Sequence, residues 1–155
     1  MHEFETIHRV DHSAANMFAL VADVESYPQF VPLCESLKVR ARRQMEANRE
    51  TLVADMTVAY KVFRETFSSK VVLDPNFGRI LVDYLDGPFK RLENHWVFTP
   101  QGENACDVEF FISYEFRSRM LSTLMGTVFD QAFRRFVGAF EKRADIIYGK
   151  AEKTA

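Results

Sequence analysis

Apolar and polar residues alternate with a period of two over most of the chain, and the pattern changes to helical spacing at two places. Residues 4–10 alternate as in a short strand. Ser13 is a good N-cap for a helix through AANMFALVADV, which carries one apolar face. The period of two returns at residue 35 and continues to Phe116. This pattern predicts a strand, a short helix and then a series of strands.

Turn signals separate these strands at short intervals. Residues 46–50 are typical of a hairpin turn, and residues 74–78, 86–88 and 100–104 carry the Asp, Asn, Pro and Gly of tight turns. The phase of the inward residues also shifts near residues 61–64, which predicts a bend there. Connections this short imply antiparallel neighbours.

The last part of the chain has helical periodicity. Apolar residues recur at spacings of three and four from Leu121 to Ile147, which predicts one helix ending near Gly149. About thirty residues at ~1.5 Å each make it roughly 45 Å long, so it must cross the face of a sheet. We therefore predict an α+β fold with a curved antiparallel sheet around a long C-terminal helix. We expect one domain over residues 1–150 and a polar tail at 151–155.

Composition and charge are those of an ordinary soluble domain. The 155 residues are 47% hydrophobic and 27% charged, and a net charge of −2 gives no field that would attract DNA. No apolar run approaches the ~18 residues of a membrane span, and the N-terminus lacks a signal peptide's apolar core. Cys34 and Cys106 lie far apart in the sequence and form no CxxC motif, which favours reduced thiols over a disulfide framework. We expect a cytoplasmic protein that can still touch a membrane surface.

The predicted interior is unusually rich in large rings. The chain has fifteen phenylalanines, and several tyrosines share the inward phase. Rings on both layers tend to hold a sheet and a helix further apart than the usual ~10 Å. A solid aromatic core is an equally simple interpretation. The tyrosines and Asn94 favour a pocket, because ligand sites combine apolar walls with a few polar groups.

The sequence contains no familiar catalytic or metal-binding motif. GxSxG, HExxH, the P-loop and GxGxxG are missing, and the four histidines fall at no metal-ligand spacing. We therefore expect a binding protein without catalytic residues, metal or catalytic cofactor. A cyclase-like enzyme would need a buried acid or base beside the pocket.

One basic stripe occupies alternate positions of a predicted strand. It consists of Lys38, Arg40 and Arg42. Charges of this kind commonly protect the edge of a sheet from pairing with another chain. The same three residues are the candidate contacts to RNA, which keeps a ribosome-binding function open.

Four ordered segments carry a family resemblance. They are VADVESYPQFVPLC, LDGPFKRLENHWVFTP, CDVEFFISYEFRSRML and AFEKRADIIYG. From about Val10 to Gly149 the chain resembles the coenzyme-Q-binding START-like proteins of the polyketide cyclase superfamily, a family that includes the bacterial ribosome-association toxins. Leu33 stands where many relatives have Trp, whereas EFRS at residues 115–118 is more similar to the quinone-binding branch.

The resemblance implies a helix-grip fold. Such a fold has a seven-stranded antiparallel sheet, two short helices after the first strand, and a long C-terminal helix above a hydrophobic tunnel. It also implies binding of ubiquinone or a related prenyl lipid without catalysis, in support of respiratory electron transport, with peripheral contact to the inner membrane. The alternative is a ribosome-associated translation inhibitor, the toxin of a toxin–antitoxin pair, acting on the large subunit.

Strand parity and an apolar corner after the first helix select the candidate ligand-binding residues. Two prolines stiffen this corner, so its side chains can form a lip at the tunnel mouth, although they can equally serve only to pack helix against sheet. Tyr84, Asn94 and Tyr114 are candidate donors to quinone carbonyls. The full set is Tyr27, Phe30, Leu33, Tyr60, Phe67, Tyr84, Asn94, Trp96, Phe110, Tyr114, Val128, Phe129 and Phe133.

Overall fold

Seven strands form one antiparallel sheet in the computed structural model, which describes residues 2–150. The order across the sheet is β1-β7-β6-β5-β4-β3-β2, so each strand from β2 to β7 pairs with its neighbour in sequence and β1 pairs with β7. The predicted polar tail at 151–155 lies outside the described residues. The strands are β1 (His2–Val10), β2 (Cys34–Gln44), β3 (Glu50–Tyr60), β4 (Phe63–Asp74), β5 (Arg79–Asp86), β6 (Phe89–Pro100) and β7 (Cys106–Phe116).

Within residues 2–150, three α-helices pack against this sheet. They are α1 (Ala14–Ala22), α2 (Arg119–Arg134) and α3 (Phe136–Tyr148). The Ser13 hydroxyl accepts a hydrogen bond from the N–H of Asn16 at 3.0 Å, which confirms the predicted N-cap, and Ser118 caps α2 in the same way. A 3-10 helix over Val24–Gln29 is the second of the two short helices after β1. The helix-grip fold is thereby confirmed.

The C-terminal helical region is two helices rather than the single one predicted from periodicity. Arg135 separates them, with φ −94° and ψ −7°, and its N–H donates to the carbonyls of Ala132 and Phe133. These angles tighten one turn and interrupt the regular ladder of hydrogen bonds. The apolar spacing continues across the interruption, so periodicity alone did not reveal it.

The hairpin turns lie where the sequence predicts them. Lys61 and Val62 connect β3 to β4, and Tyr60 is paired with Phe63 across the turn. Lys61 has a φ of +55°, as the first residue of a tight two-residue hairpin requires. Gly87 joins β5 to β6 with φ +144°, and a Cβ on it would lie 2.5 Å from the Cβ of Phe67. That position therefore requires glycine.

Four rings form a solid aromatic cluster between α2 and the sheet. Phe89, Tyr114, Phe116 and Phe129 contact one another in every pairing, with ring centroids 5.1 to 6.4 Å apart. None of the four is more than 5% exposed. These rings fill the interior in this part of the molecule. Within residues 2–150, no helix is both long and apolar enough to span a bilayer.

Candidate functional site

A cavity of about 100 Å³ lies beside the aromatic cluster, between the sheet and the C-terminal helices. Its roof contains Phe129, Ala132 and Phe133 of α2, together with Phe136 and Phe140 of α3. Inward residues of β2 to β7 form its floor. An engineered cavity of about 150 Å³ holds a benzene molecule, so this space suits a group of roughly the size of an isoprene unit.

Several residues selected from the sequence lie together on the cavity wall. They come from the corner after α1, from β4 and β6, and from α2. Strand alternation and helical spacing therefore bring distant segments to one surface. The residues are Tyr27, Leu33, Phe67, Asn94, Trp96, Phe129 and Phe133.

Phe30 and Tyr60 lie outside the wall, contrary to the expected placement. The Phe30 ring packs edge-on against Phe140 at 5.0 Å, and the Arg143 guanidinium covers it at 5.2 Å, so it supports the wall from behind. Tyr60 is the last residue of β3 and is 37% exposed, because the sheet ends there. The Lys61 ammonium lies 5.3 Å from the Tyr60 ring centroid.

Tyr84 and Tyr114 are also outside the wall, contrary to the expected placement, and their proposed role as donors to a ligand stays a prediction. The Tyr84 hydroxyl accepts a hydrogen bond from the N–H of Phe89 at 3.0 Å. The Tyr114 ring is enclosed in the aromatic cluster and stacks on His2 at 4.9 Å. Strand parity gave the inward direction of these side chains but not which part of the interior they reach.

Phe110 and Val128 likewise do not line the cavity, contrary to the expected placement. Phe110 is fully buried between neighbouring rings, 4.8 Å from Trp96 and 5.9 Å from Phe136. Val128 precedes the roof residue Phe129 on α2 and points about 100° away from it around the helix. Both residues pack the core outside the wall.

Three side chains give the wall its polar character. The Asn94 amide donates from Nδ2 to the carbonyl of Phe111 at 2.9 Å and accepts from Trp96 Nε1 at 3.2 Å. Ser69 on β4 is only 5% exposed, and its hydroxyl has no hydrogen-bond partner among the described residues. Sequence reasoning missed Ser69, although a serine between Phe67 and Val71 in the inward phase of a strand was the signal.

The third polar group, Tyr27, belongs to the apolar corner after α1. Its hydroxyl donates to the carbonyl of Val21, and its ring packs edge-on against Phe140 at 5.3 Å. Leu33 adopts a φ of +68°, which turns the chain into β2. The corner therefore both packs against α3 and, through Tyr27 and Leu33, lines the cavity.

No charged side chain lines the cavity within residues 2–150. Burial raises the pKa of Tyr27 far above its ordinary value, so this hydroxyl stays neutral. An ionised ligand group would lose its hydration here without gaining a countercharge. The wall therefore suits a neutral and mainly apolar ligand.

A family model described as polyketide cyclase / dehydrase and lipid transport matches residues 10–141. The chain belongs to this family. A ribosome association toxin RatA of Vibrio cholerae is 37% identical over 141 residues, which are 91% of this chain and 94% of that protein. The Xenopus laevis protein named mitochondrial coenzyme Q-binding protein COQ10 homolog B is 33% identical over 90% of this chain and 57% of its own length.

A solved structure agrees with the family assignment. The solution structure of an 18 kDa protein of Caulobacter crescentus has a TM-score of 0.77 and 34% identity, covering 96% of this chain and 99% of that one. This protein of Caulobacter crescentus therefore shares both the sequence pattern and the architecture of this chain.

The family description names both enzymes and lipid transport. The polar groups of the cavity wall can be compared with what each of these functions requires. Acid–base catalysis needs a titratable group poised near its working pH. Among the described residues, four side chains of the wall carry polar atoms. They are the hydroxyls of Ser69 and Tyr27, the amide of Asn94 and the indole of Trp96. These groups can orient a ligand by hydrogen bonding.

The basic stripe lies on the edge strand β2. Acidic residues accompany it, and this weakens the case for an RNA contact. Arg40 pairs with Asp55 at 2.8 Å, and Arg42 pairs with Glu25 and with Glu50. Lys38 is exposed on the same strand. These ion pairs offset part of the positive charge that an RNA backbone would meet.

Proposed function

We propose that the cavity binds ubiquinone or a related prenyl lipid without catalysis and that the protein thereby supports respiratory electron transport. The observation that carries this proposal is an internal apolar cavity with a few neutral polar groups and no charged wall residue in the described chain. Burial of prenyl hydrocarbon at ~25 cal/mol per Å² supplies the driving force. The coenzyme Q-binding name of the Xenopus laevis relative supports the choice of ligand.

The size of the cavity limits how such a ligand is held. A space of about 100 Å³ accommodates one part of a prenylquinone, so the roof helices must move away from the sheet to admit more. The interruption at Arg135 lies between Phe133 and Phe136, two roof residues that belong to different helices. Because prenylquinones reside in membranes, we propose that a cytoplasmic protein loads at the inner-membrane surface.

Fluorescence of Trp96 tests this proposal directly. It is the only tryptophan of the chain, is 3% exposed and lines the cavity. Ubiquinone with a two-unit tail should quench it saturably, because Trp96 lines the cavity that is proposed to hold the quinone. Ala132→Leu, which fills the space under α2, should weaken quenching, whereas Ala144→Leu serves as the matched control because Ala144 is buried away from the wall.

Ligand recovered from the native host supplies the second measurement. Organic extraction of the purified protein followed by mass spectrometry should release a prenylquinone of unchanged mass. Absence of any prenylquinone, together with quenching that does not saturate, would overturn the proposal. A chemically altered quinone would instead contradict the non-catalytic assignment.

A ribosome-associated translation inhibitor is the second candidate, favoured by the names of relatives such as the Vibrio cholerae toxin. It requires salt-sensitive co-sedimentation with large ribosomal subunits. Reversing the charges of Lys38, Arg40 and Arg42 together should abolish that binding and leave the lipid content unchanged. Ala132→Leu should do the opposite. Loss of both properties in one variant would contradict a separation of the two surfaces.

A further inference from the structure

The Ser69 hydroxyl is a buried polar group of the cavity wall that has no hydrogen-bond partner among the described residues. Ser69 lies on β4 in phase with the wall residues Phe67 and Val71, and no described residue bonds its Oγ. Leaving a buried hydroxyl unbonded costs the folded protein free energy. The adjacent Ser68 differs, because its hydroxyl donates to Asp55 at 2.6 Å.

Asn94 provides a second, oriented polar group on the same wall. Its bonds to Phe111 and Trp96 fix the amide plane and use one N–H and one lone pair of the oxygen. One N–H and one lone pair remain. β5 lies between the strands of Ser69 and Asn94, and Val82 of β5, which is paired with Asn94, also lines the cavity. The floor of the cavity thus carries two separated hydrogen-bonding groups on an apolar surface.

We propose that Ser69 donates a hydrogen bond to an oxygen of the ligand's ring and selects oxygen-bearing ring lipids over plain isoprenoid hydrocarbons. This inference rests on the proposed function, because it places the head of the same neutral lipid over β4 to β6 and its tail along the aliphatic wall. Asn94 offers its remaining N–H to a second oxygen of that ring. A carboxylate or phosphate head is disfavoured, since no charged side chain of the described residues reaches the wall.

Ser69→Ala tests the inference against Ser68→Ala as the matched control. Affinity for short-tailed ubiquinone, measured by Trp96 quenching, should fall roughly three- to tenfold in Ser69→Ala, as expected for one lost hydrogen bond. Affinity for a C15 isoprenoid hydrocarbon, measured by its displacement of the quinone, should stay unchanged. Ser68→Ala should change neither affinity. Ligand-free Ser69→Ala should be at least as stable as the parent protein.

Two variants of equal side-chain shape separate the effect of the hydroxyl from the effect of side-chain volume. Ser69→Thr and Ser69→Val fill the same volume and differ in the hydroxyl, so only the threonine variant should retain the preference for the quinone over the hydrocarbon. Three results would overturn the role of Ser69 even if the parent protein binds quinone. They are equal losses of affinity for both ligands, an unchanged quinone affinity in Ser69→Ala, and a loss of stability in the ligand-free Ser69→Ala variant. Failure of the parent protein to bind quinone would overturn both proposals.

Discussion

Under one helical roof, the aromatic cluster and the cavity show opposite solutions to filling an interior. In the aromatic cluster, Phe116 contacts Phe89 at 5.1 Å and Phe129 at 5.3 Å, and edge-to-face and tilted contacts leave no room for a ligand. In the cavity, the floor beneath α2 includes small or aliphatic residues such as Ala54 and Val58. Phe89 and Phe129 belong to both regions and form their boundary.

The two regions differ in the residues that accompany their large rings. Rings in the aromatic cluster pack against one another, whereas rings of the cavity wall such as Phe67 and Phe133 share that wall with the small residues Ala54, Ser69 and Ala132. The mixture of large and small side chains, as well as the number of rings, therefore distinguishes the cavity from the solid cluster.

Removing one ring from each region should give the largest difference. Phe116→Ala should lower the free energy of unfolding by about 3–5 kcal/mol, because the ring is packed on all sides. Phe67→Ala should lower it by about 2–3 kcal/mol, near the lower end for large-to-alanine changes, since the Phe67 ring faces empty space on one side. Urea unfolding measures both. Equal losses would show that the cavity is filled in solution.

Adding volume on the roof sharpens the same comparison. Ala144→Leu on α3 should cost about 1–3 kcal/mol, because Ala144 is fully buried in packed core. Ala132→Leu on α2 should change the free energy of unfolding by less than about 1 kcal/mol, because the added carbons enter the cavity. Thermal unfolding with and without short-tailed ubiquinone checks this. A severe loss of stability in Ala132→Leu would contradict the open space.

The two cysteines compare a position beside the cavity wall, Cys34, with a position in the packed core away from it, Cys106. Burial raises the pKa of Cys34 to about 11 and that of Cys106 to about 11. Alkylation should therefore be slow near neutral pH and accelerate about tenfold per pH unit up to about 11. Cys34 follows the wall residue Leu33 and should react before the fully buried Cys106.

Mass spectrometry of the alkylated protein separates the two sites. Bound quinone should protect Cys34 more than Cys106. Because the folded state favours the neutral thiols, their contribution to stability is complete below the ordinary thiol pKa and is lost as the pH rises through about 11. Equal rates with and without quinone would indicate that the ligand leaves the corner unchanged.

Substitutions on the outer surface of β2 and β3 should have the smallest effect on the free energy of unfolding. Hydrogen bonds from Ser68 and then Arg40 lower the pKa of Asp55. Its contribution to stability is therefore present above the ordinary carboxyl pKa and is lost as the pH falls through the lowered value. Asp55→Asn should cost less than about 1 kcal/mol at pH 7 and nothing in strong acid. Urea unfolding at both pH values tests this, and a loss that persists in acid would contradict the electrostatic origin.

The sequence alone determined the strands and the turns, because hydrophobic period, capping residues and turn residues act over a few neighbouring positions, and its four ordered motifs indicated the family by resemblance. Ser13, the turn at Lys61 and the pairing of consecutive strands all followed from such local signals. It also selected part of the wall, including Asn94 and Trp96. Only the tertiary structure decided that Tyr84 and Tyr114 lie outside the cavity, that Ser69 lines it without a partner, and that Arg135 divides the roof. Parity tells which side of a strand faces inward, whereas sheet curvature and the packing of helices on it determine which inward residues meet and which leave a space.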